Sequence, residues 1–419
     1  MVDVAGPAEQ APDVFFAEWR RRRAGARRDV ERAAALLAES GLPTPDTPVL
    51  GVVGSKGKGT CATYASATLA AAGARVVTVT SPGVRGARDR IRLDGAAATE
   101  EDLARLAAEL EEAVGRLPPP DTGYLSPSGL FLAAGALYAR ERGADLLVLE
   151  AGMGGAGDEL RLFDPTVVAL TTVFGEHLGV LGDTVEEIAA EKTGVAGPDT
   201  RAFVHGPLES AVEEAVHAAL AARTGGRVHP ERPETEADDL PDGLLPEGLG
   251  RPAAELGYAA ALRLLAATAR AAPEPHRLHT VLDGLRLPGR LSHHVLPGSG
   301  TELVVDSAVD RTGVAAALEH ARRRWGGTDH VLVCLPDHKD VAGAVAELRG
   351  QKVTAAALED AHLSFSAALP EEWGRVRADE VTADLVGGLG RRVLVLGTVY
   401  FTGLVLEAIG ADTESLFAP

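Results

Sequence analysis

The residues best suited to chemistry lie in one short stretch, residues 49–60. An apolar run from Val49 to Val53 is followed by glycines and then by an alanine-rich segment, which is the order strand, turn, helix. A glycine turn lets backbone N–H groups converge on a phosphate, and the helix N-terminus adds its positive dipole end. Lys58 would then neutralise outer phosphates, and the Thr60 hydroxyl would bind Mg²⁺. A tight turn with solvated lysines is the simpler alternative. The pattern favours a nucleotide site made of Gly54, Ser55, Lys56, Gly57, Lys58, Gly59 and Thr60.

Three further side chains stand where predicted elements would carry them toward this loop. Glu150 ends a predicted parallel strand, and the carboxyl ends of parallel strands face the crevice where ligands bind. His177 follows the next strand. Lys192 lies on the apolar stripe of a predicted helix that Thr184 would cap. Burying the lysine charge on that stripe is costly unless the ammonium has a partner. A surface role for Glu150 and a polar loop role for His177 remain open.

The elements around these residues alternate between strand and helix, which predicts an α/β fold with a parallel sheet. Residues 1–12 are expected to be loose, and Pro43–Pro45 is expected to be a linker. Helices are predicted over 15–40, 99–115 and 128–142, and strands over 75–80, 145–150, 166–173, 302–305, 331–335 and 392–397.

The phosphate loop departs from the common form G-x-x-x-x-G-K-[ST], because Gly59 stands between Lys58 and Thr60. Its form G-x-x-G-K-G-[ST] resembles the folylpolyglutamate synthase and dihydrofolate synthase branch of the Mur ligase superfamily, whose loop reads G-T-N-G-K-G-S. Those enzymes join a carboxylate to an amino acid with ATP. The resemblance implies a Mur-ligase-like fold, with a P-loop parallel-sheet ATPase domain at 1–288 and a smaller Rossmann-like ligase domain at 289–419.

Other family patterns recur in order along the chain. The family glutamate before G-L-G-G-R-x-D matches Glu150, and the family D-H becomes Glu176-His177. The family segment L-G-x-T-x-x-x-I-A-x-E-K ends at Lys192, P-G-R ends at Arg290, and D-G-A-H-N-P begins at Asp306.

These matches imply a role for each retained residue. Arg290 and Asp306 would bind the nucleotide together with the phosphate loop. Lys58, His177, Lys192 and Arg290 would be catalytic. By the same resemblance Lys192 would be carbamylated, and two Mg²⁺ ions would be bound by Thr60, Glu150, His177 and Lys192.

The positions where the family handles its substrates are replaced. The family histidine after Ser-Pro is Gly83, and the arginine of G-L-G-G-R is Ala156. The family histidine and asparagine of D-G-A-H-N-P are Val309 and Asp310. Retention of the ATP set with replacement of the substrate set predicts an ATP-dependent carboxylate–amine ligase for a non-folate substrate, such as a specialised-metabolite acid and an amino acid. A P-loop small-molecule kinase and a nucleotide-binding accessory protein that has lost ligation are the alternatives.

Composition limits the partners and the location. The 419 residues are 46% hydrophobic, which is enough for a core, and the net charge of −19 argues against nucleic-acid and anionic-membrane partners. The one basic run, Arg20–Arg23 with Arg27 and Arg28, is interpreted as a solvated helix face. Two distant cysteines and the lack of a signal or long apolar segment predict a cytoplasmic protein. We expect a monomer or weak homodimer that binds a small-molecule carboxylate and an amine or amino acid.

Overall fold

The computed structural model describes residues 11–23, 25–42, 47–233, 240–358 and 363–419. The predicted linker Pro43–Pro45 and residues 1–10 of the predicted loose segment lie outside these ranges. Among the described helices, none combines the length and the apolar character that a membrane crossing requires.

Helices and strands alternate through most of the chain. The helices are α1 (Ala17–Arg21), α2 (Val30–Glu39), α3 (Lys58–Ala71), α4 (Glu100–Arg116), α5 (Pro127–Arg142), α6 (Val185–Thr193), α7 (Ser210–Thr224), α8 (Arg251–Ala267), α9 (Pro275–Asp283), α10 (Arg311–Trp325), α11 (Val341–Glu347), α12 (Ala383–Gly388) and α13 (Val399–Ala408). The strands are β1 (Val49–Val53), β2 (Val76–Val79), β3 (Ile91–Leu93), β4 (Ala96–Ala97), β5 (Leu146–Glu150), β6 (Val167–Leu170), β7 (Ala202–His205), β8 (Pro230–Glu231), β9 (Ser292–Val295), β10 (Glu302–Asp306), β11 (His330–Cys334), β12 (Val353–Ala357), β13 (Gly374–Arg377) and β14 (Arg392–Gly397).

The first sheet has the strand order β4-β3-β2-β5-β1-β6-β7-β8. Strands β2, β5, β1, β6, β7 and β8 run parallel, while β3 and β4 form an antiparallel edge. Strand β1 lies between β5 and β6, and the register pairs Val52 with Glu150 and Val53 with Leu170. The carboxyl ends of these three strands therefore meet beside the phosphate loop.

Apolar layers cover both faces of this sheet. Helices α3 and α8 pack on one face through side chains such as Leu69 and Leu264. On the other face lies a larger cluster that includes Leu36, Leu103 and Phe131 of α2, α4 and α5. Because the parallel strands β2, β5, β1, β6 and β7 are buried, their sequences are almost continuously apolar rather than alternating.

Helix caps agree with the sequence. Thr99 and Asp102 form a capping box at the start of α4, and the Thr184 hydroxyl accepts a hydrogen bond from the N–H of Glu187 at the start of α6. Such caps satisfy backbone donors that the first turn of a helix leaves without a partner.

The predicted helix over 15–40 is wrong in its middle. The chain forms α1 and α2 with a non-helical segment between them, in which Gly25 has φ +80° and Asp29 caps α2. The basic run predicts a solvated Arg28, but the side chain of this residue is only 8% exposed. Its guanidinium donates to Asp158 at 2.8 Å and to Glu159 at 3.3 Å. This buried ion pair holds the segment away from a helical path.

The second sheet has the order β13-β12-β11-β14-β10-β9, and only β9 is antiparallel to its neighbour. Beyond α13 the chain returns to the first sheet. The backbone N–H of Leu416 donates to the carbonyl of Gly95, and that of Ala97 donates to the carbonyl of Glu414. We call residues 413–417 the C-terminal strap. The first sheet with the helices packed on it is called the first unit, and the chain from Gly289 to α13 is called the second unit. The Phe417 side chain of the strap is buried against the first unit.

Candidate active site at the phosphate loop

The phosphate loop is held by glycine geometry and by contacts with the end of β6. Gly54 has φ +139°, and a Cβ there would lie 1.9 Å from the Thr171 hydroxyl oxygen. Gly57 has φ +85° and is the N-cap residue directly before α3. Only glycine adopts these conformations easily. The Lys58 ammonium donates to the Gly54 carbonyl at 3.0 Å, so it lies folded back over the loop at the N-terminus of α3.

Glu150 is a buried carboxylate beside this loop, with 5% of the residue exposed. Its Oε2 accepts a hydrogen bond from the backbone N–H of Ser81 at 3.1 Å. A Cβ on Gly59 would lie 3.7 Å from the same oxygen. Burial raises the pKa of Glu150, and the positive charges of Lys58 and Arg290 oppose that rise. An anionic oxygen beside the first turn of α3 suits a hard cation.

Lys192 lies under the phosphate loop, where the residue is 2% exposed. Its ammonium donates to Glu176 at 2.9 Å and to the Gly54 carbonyl at 3.1 Å. Burial and the charge of Lys58 lower the pKa of Lys192, and Glu176 opposes that shift. Burial would raise the pKa of Glu176, but Lys192 and Lys58 hold it below its usual value. The lysine that the sequence places on an apolar stripe thus has a carboxylate partner from the preceding loop.

The loop that directly follows Glu150, residues 151–158, is tied to the helix that carries Lys192. Glu191 accepts hydrogen bonds from the N–H groups of Gly157 at 2.8 Å and Gly155 at 3.3 Å. The Asp158 carboxylate, which pairs with Arg28, also accepts from the N–H of Met153 at 3.0 Å. This loop is therefore fixed at both ends around the site.

His177 lies at the mouth of the site with a positive φ of 49°. Its half-buried imidazole has a pKa lowered by burial, while Glu176 raises it and Lys192 and Lys339 lower it. The imidazole is therefore neutral near pH 7 and has one ring nitrogen free to accept a proton or a metal ion.

Arg290 and Asp306 approach the loop from the second unit. The Asp306 carboxylate accepts from the N–H of Leu291 at 2.8 Å, and the Arg290 guanidinium donates to the Gly289 carbonyl at 2.9 Å. Burial raises the pKa of Asp306, and Arg290 opposes the rise. Both residues line a cavity of about 60 Å³ that also includes Thr60. The second unit thus places a cation on the same small cavity as the first turn of α3.

The predicted site residues surround the phosphate loop from three sides. Glu150 approaches from β5, Lys192 from α6, and Arg290 from the junction with the second sheet. Within the described ranges, no three side chains of His, Cys, Asp or Glu are grouped as a metal site.

Sequence reasoning missed three residues of this region. Glu176 is the partner of Lys192, Arg28 is the partner of Asp158, and Asp310 forms an ion pair with Lys56 of the phosphate loop. A buried lysine or aspartate indicates that an oppositely charged partner exists. The sequence position of the buried residue does not indicate which residue that partner is.

The chain is similar to curated relatives over part of its length, and no family model matches it. It is 29% identical over 172 residues to the dihydrofolate synthase/folylpolyglutamate synthase of Bacillus subtilis, covering 41% of this chain and 40% of the relative. It is 38% identical over 172 residues to a probable bifunctional folylpolyglutamate synthase/dihydropteroate synthase of Haloferax volcanii, covering 40% of this chain and 20% of the relative. The matched region thus spans less than half the length of either relative.

Solved structures extend the likeness to almost the whole chain. Mycobacterium tuberculosis folylpolyglutamate synthase complexed with ADP superposes with a TM-score of 0.78 at 21% identity, covering 95% of this chain and 99% of that chain. The chain has the fold of the folylpolyglutamate synthases. Escherichia coli FolC in complex with DHPP and ADP gives 0.76 at 21% identity, covering 97% and 99%. These findings confirm the predicted family resemblance and the predicted Mur-ligase-like α/β fold.

Proposed function

We propose that the protein is an ATP-dependent ligase that forms an amide bond between a carboxylic acid and an amine. The observation that carries this proposal is the phosphate loop, closed by Glu150 on one side and by Arg290 of the second unit on the other. In this proposal residues 1–288 bind ATP, and residues 289–419 form the ligase domain that brings the amine. The relatives named as folylpolyglutamate synthases, and solved neighbours complexed with ADP, support it.

The reaction begins with attack of the substrate carboxylate on the γ-phosphate of ATP, giving an acyl phosphate and ADP. The amine then displaces phosphate through a tetrahedral intermediate. Lys58, Arg290 and the N-terminus of α3 offset the charge on the phosphoryl group, which is the main task in phosphoryl transfer. In this proposal His177, neutral near pH 7, accepts a proton from the attacking amine.

Mg²⁺ fits the oxygen ligands of the site. Glu150 and Thr60 would hold it, with the His177 imidazole nearby, and the ion would neutralise phosphate charge. Carbamylation of Lys192 and a second Mg²⁺ remain predictions. A carbamate at Lys192 would carry negative charge next to Glu176, so it would need a metal ion or protonation of Glu176 to be stable.

The relatives and the residues of the chain point to different acid substrates. The relatives' names favour a folate-type acid, and the comparisons do not favour a kinase or an accessory protein. The residues of the chain favour a different acid. At Gly83, where the family has histidine, a Cβ would lie 2.0 Å from the carbonyl oxygen of Gly86, so this loop leaves no room for a side chain. The non-folate prediction therefore rests on the substituted positions alone.

The test uses purified protein with MgATP, tetrahydrofolate and glutamate, followed by a panel of other acids and amines. ADP release and amide product are measured together. Amide formed in step with ADP supports the ligase, and phosphorylated acid without amide would replace it with a kinase. Turnover of tetrahydrofolate at an ordinary enzymatic rate of about 10 per second would refute the non-folate prediction. A Lys58→Met variant that binds ATP as tightly as the parent would refute the phosphate loop.

The remaining expectations follow from this proposal. A small-molecule ligase of this kind works as a monomer or weak homodimer in the cytoplasm, where ATP and Mg²⁺ are abundant. Sedimentation of the purified protein checks the oligomeric state.

A further inference from the structure

One ion pair joins the phosphate loop directly to the second unit. The Lys56 ammonium contacts the Asp310 carboxylate, and the two residues are 254 positions apart in the chain. Their side chains are 52% and 26% exposed, so both are within reach of a ligand that enters between the two units. Among the lysines of the loop, Lys58 points back to a loop carbonyl, whereas Lys56 points across the cleft.

The backbone of Lys56 is held by Thr172, whereas its side chain is half exposed. Its N–H donates to the Thr172 hydroxyl at 3.3 Å, and its carbonyl accepts from that hydroxyl at 3.2 Å. The ammonium lies 5.7 Å from the centre of the Phe174 ring. The four-carbon side chain can therefore swing from Asp310 toward the loop without moving the backbone that would bind phosphate.

Asp310 is held independently of Lys56. It is the N-cap of α10, and its other carboxylate oxygen accepts from the N–H of Gly313 at 2.9 Å. Burial would raise the pKa of Asp310, but Lys56, Gly313 and Lys339 keep it below its usual value. Asp310 therefore stays ionised near neutral pH when Lys56 leaves, with the α10 N-terminus and Lys339 still offsetting its charge.

Both residues depart from the family patterns given above, which have asparagine at each position. Two neutral positions have thus become a cation and an anion that meet in space, which is the result expected of a functional pair rather than of independent drift.

We propose that Lys56 is a second phosphate-binding lysine, which Asp310 holds across the cleft until MgATP arrives. The γ-phosphate then competes with Asp310 for the ammonium, so nucleotide binding exchanges an interdomain ion pair for a phosphate contact. This inference rests on the MgATP binding of the proposed function. It makes Asp310 an antagonist of nucleotide binding and couples that binding to release of the second unit.

The test is calorimetric titration of the full chain with the non-hydrolysable nucleotide AMPPCP, and with ADP, each with Mg²⁺. Asp310→Asn keeps the α10 cap, because an asparagine oxygen accepts the same N–H. It should tighten AMPPCP binding about two- to fivefold, which is the range of a half-exposed ion pair. Lys56→Gln should weaken AMPPCP binding roughly ten- to a hundredfold, as expected for loss of a charged hydrogen bond. Both effects should be smaller with ADP, which lacks the γ-phosphate.

The double variant and one control decide between explanations. In the Lys56→Gln background, Asp310→Asn should have no effect on AMPPCP affinity. Glu407→Gln removes the ion pair between Glu407 and Arg85, which is another contact between the two units. Both of these residues line a separate cavity of about 730 Å³. Glu407→Gln should leave AMPPCP affinity unchanged. Unchanged or weaker binding in Asp310→Asn overturns the inference, as does equal tightening by Glu407→Gln. Failure of the parent protein to bind either nucleotide would instead refute the proposed function.

Discussion

Replacing Glu176 by glutamine tests the charge state of Lys192. The substitution keeps the size of the side chain and one acceptor oxygen, but it removes the negative charge that lies 2.9 Å from the Lys192 ammonium. If Lys192 is an ammonium, the change leaves a buried cation without its partner. If Lys192 carries a carbamate, the same change removes a repulsion between two anions. The two states therefore predict opposite signs for one measurement.

The size of the effect follows from burial. Removing one partner of a buried ion pair costs about 3–5 kcal/mol. Glu176 keeps 21% of its side chain exposed, and both glutamine and the Gly54 carbonyl still accept hydrogen bonds from Lys192. We therefore expect Glu176→Gln to reduce the free energy of unfolding by about 2–3 kcal/mol in the ammonium state. Lys192→Met should cost less, about 1 kcal/mol, because the remaining carboxylate can be hydrated.

The assay is urea unfolding without nucleotide or Mg²⁺, in degassed buffer and in bicarbonate-equilibrated buffer. The control is Glu187→Gln, which neutralises an exposed glutamate at the start of α6. A destabilisation of Glu176→Gln that exceeds that of Lys192→Met supports the ammonium. Stabilisation by Glu176→Gln in bicarbonate, lost on degassing, would refute this reasoning and establish the carbamate.

Three further predictions follow from the site. Because burial raises the pKa of Glu150, Mg²⁺-dependent ATP affinity should increase as the pH rises above 4.5 through that raised pKa. Glu150→Gln should abolish this pH dependence. Titration calorimetry at several pH values would contradict us if ATP affinity changed with pH equally in both proteins. Arg28→Met leaves Asp158 buried without its cation, so it should cost about 3–5 kcal/mol, and a melting temperature equal to that of the parent would disprove the pair's importance. Because Gly54 has a positive φ of 139° and a hydroxyl oxygen close to where a Cβ would lie, Gly54→Ala should lose ATP binding while keeping the circular dichroism of the parent. Normal ATP binding would show that the loop tolerates a side chain.

Local patterns predicted most of the fold. Glycine spacing after an apolar run located the phosphate loop, and Glu150 was found because strand ends in a parallel sheet meet at one edge. Both inferences use neighbours in sequence. The caps at Thr99 and Thr184 were also predictable, since a capping interaction spans only three residues.

Contacts between distant segments could not be predicted in this way. Arg28 lies 130 residues from Asp158, and its basic neighbours favoured the interpretation of a solvated helix face. The partner of Lys192 was unknown for the same reason, although the cost of burying a lysine indicated that one must exist. Charge and hydrogen bonding decide these contacts after the sheet has brought the segments together.

The C-terminal strap makes the two units poor candidates for separate expression. A fragment of residues 1–288 would contain every strand of the first sheet but would lose the strap from its β4 edge. The guanidinium of Arg92, 2% exposed, donates to the carbonyls of Thr413 at 3.0 Å and Glu414 at 3.2 Å, and both acceptors would be missing. The complementary fragment would expose Leu416 and Phe417 to water. Mixed in solution, the two fragments should therefore reassemble through the strap, which would make the pair a split protein whose reconstitution reports on domain docking.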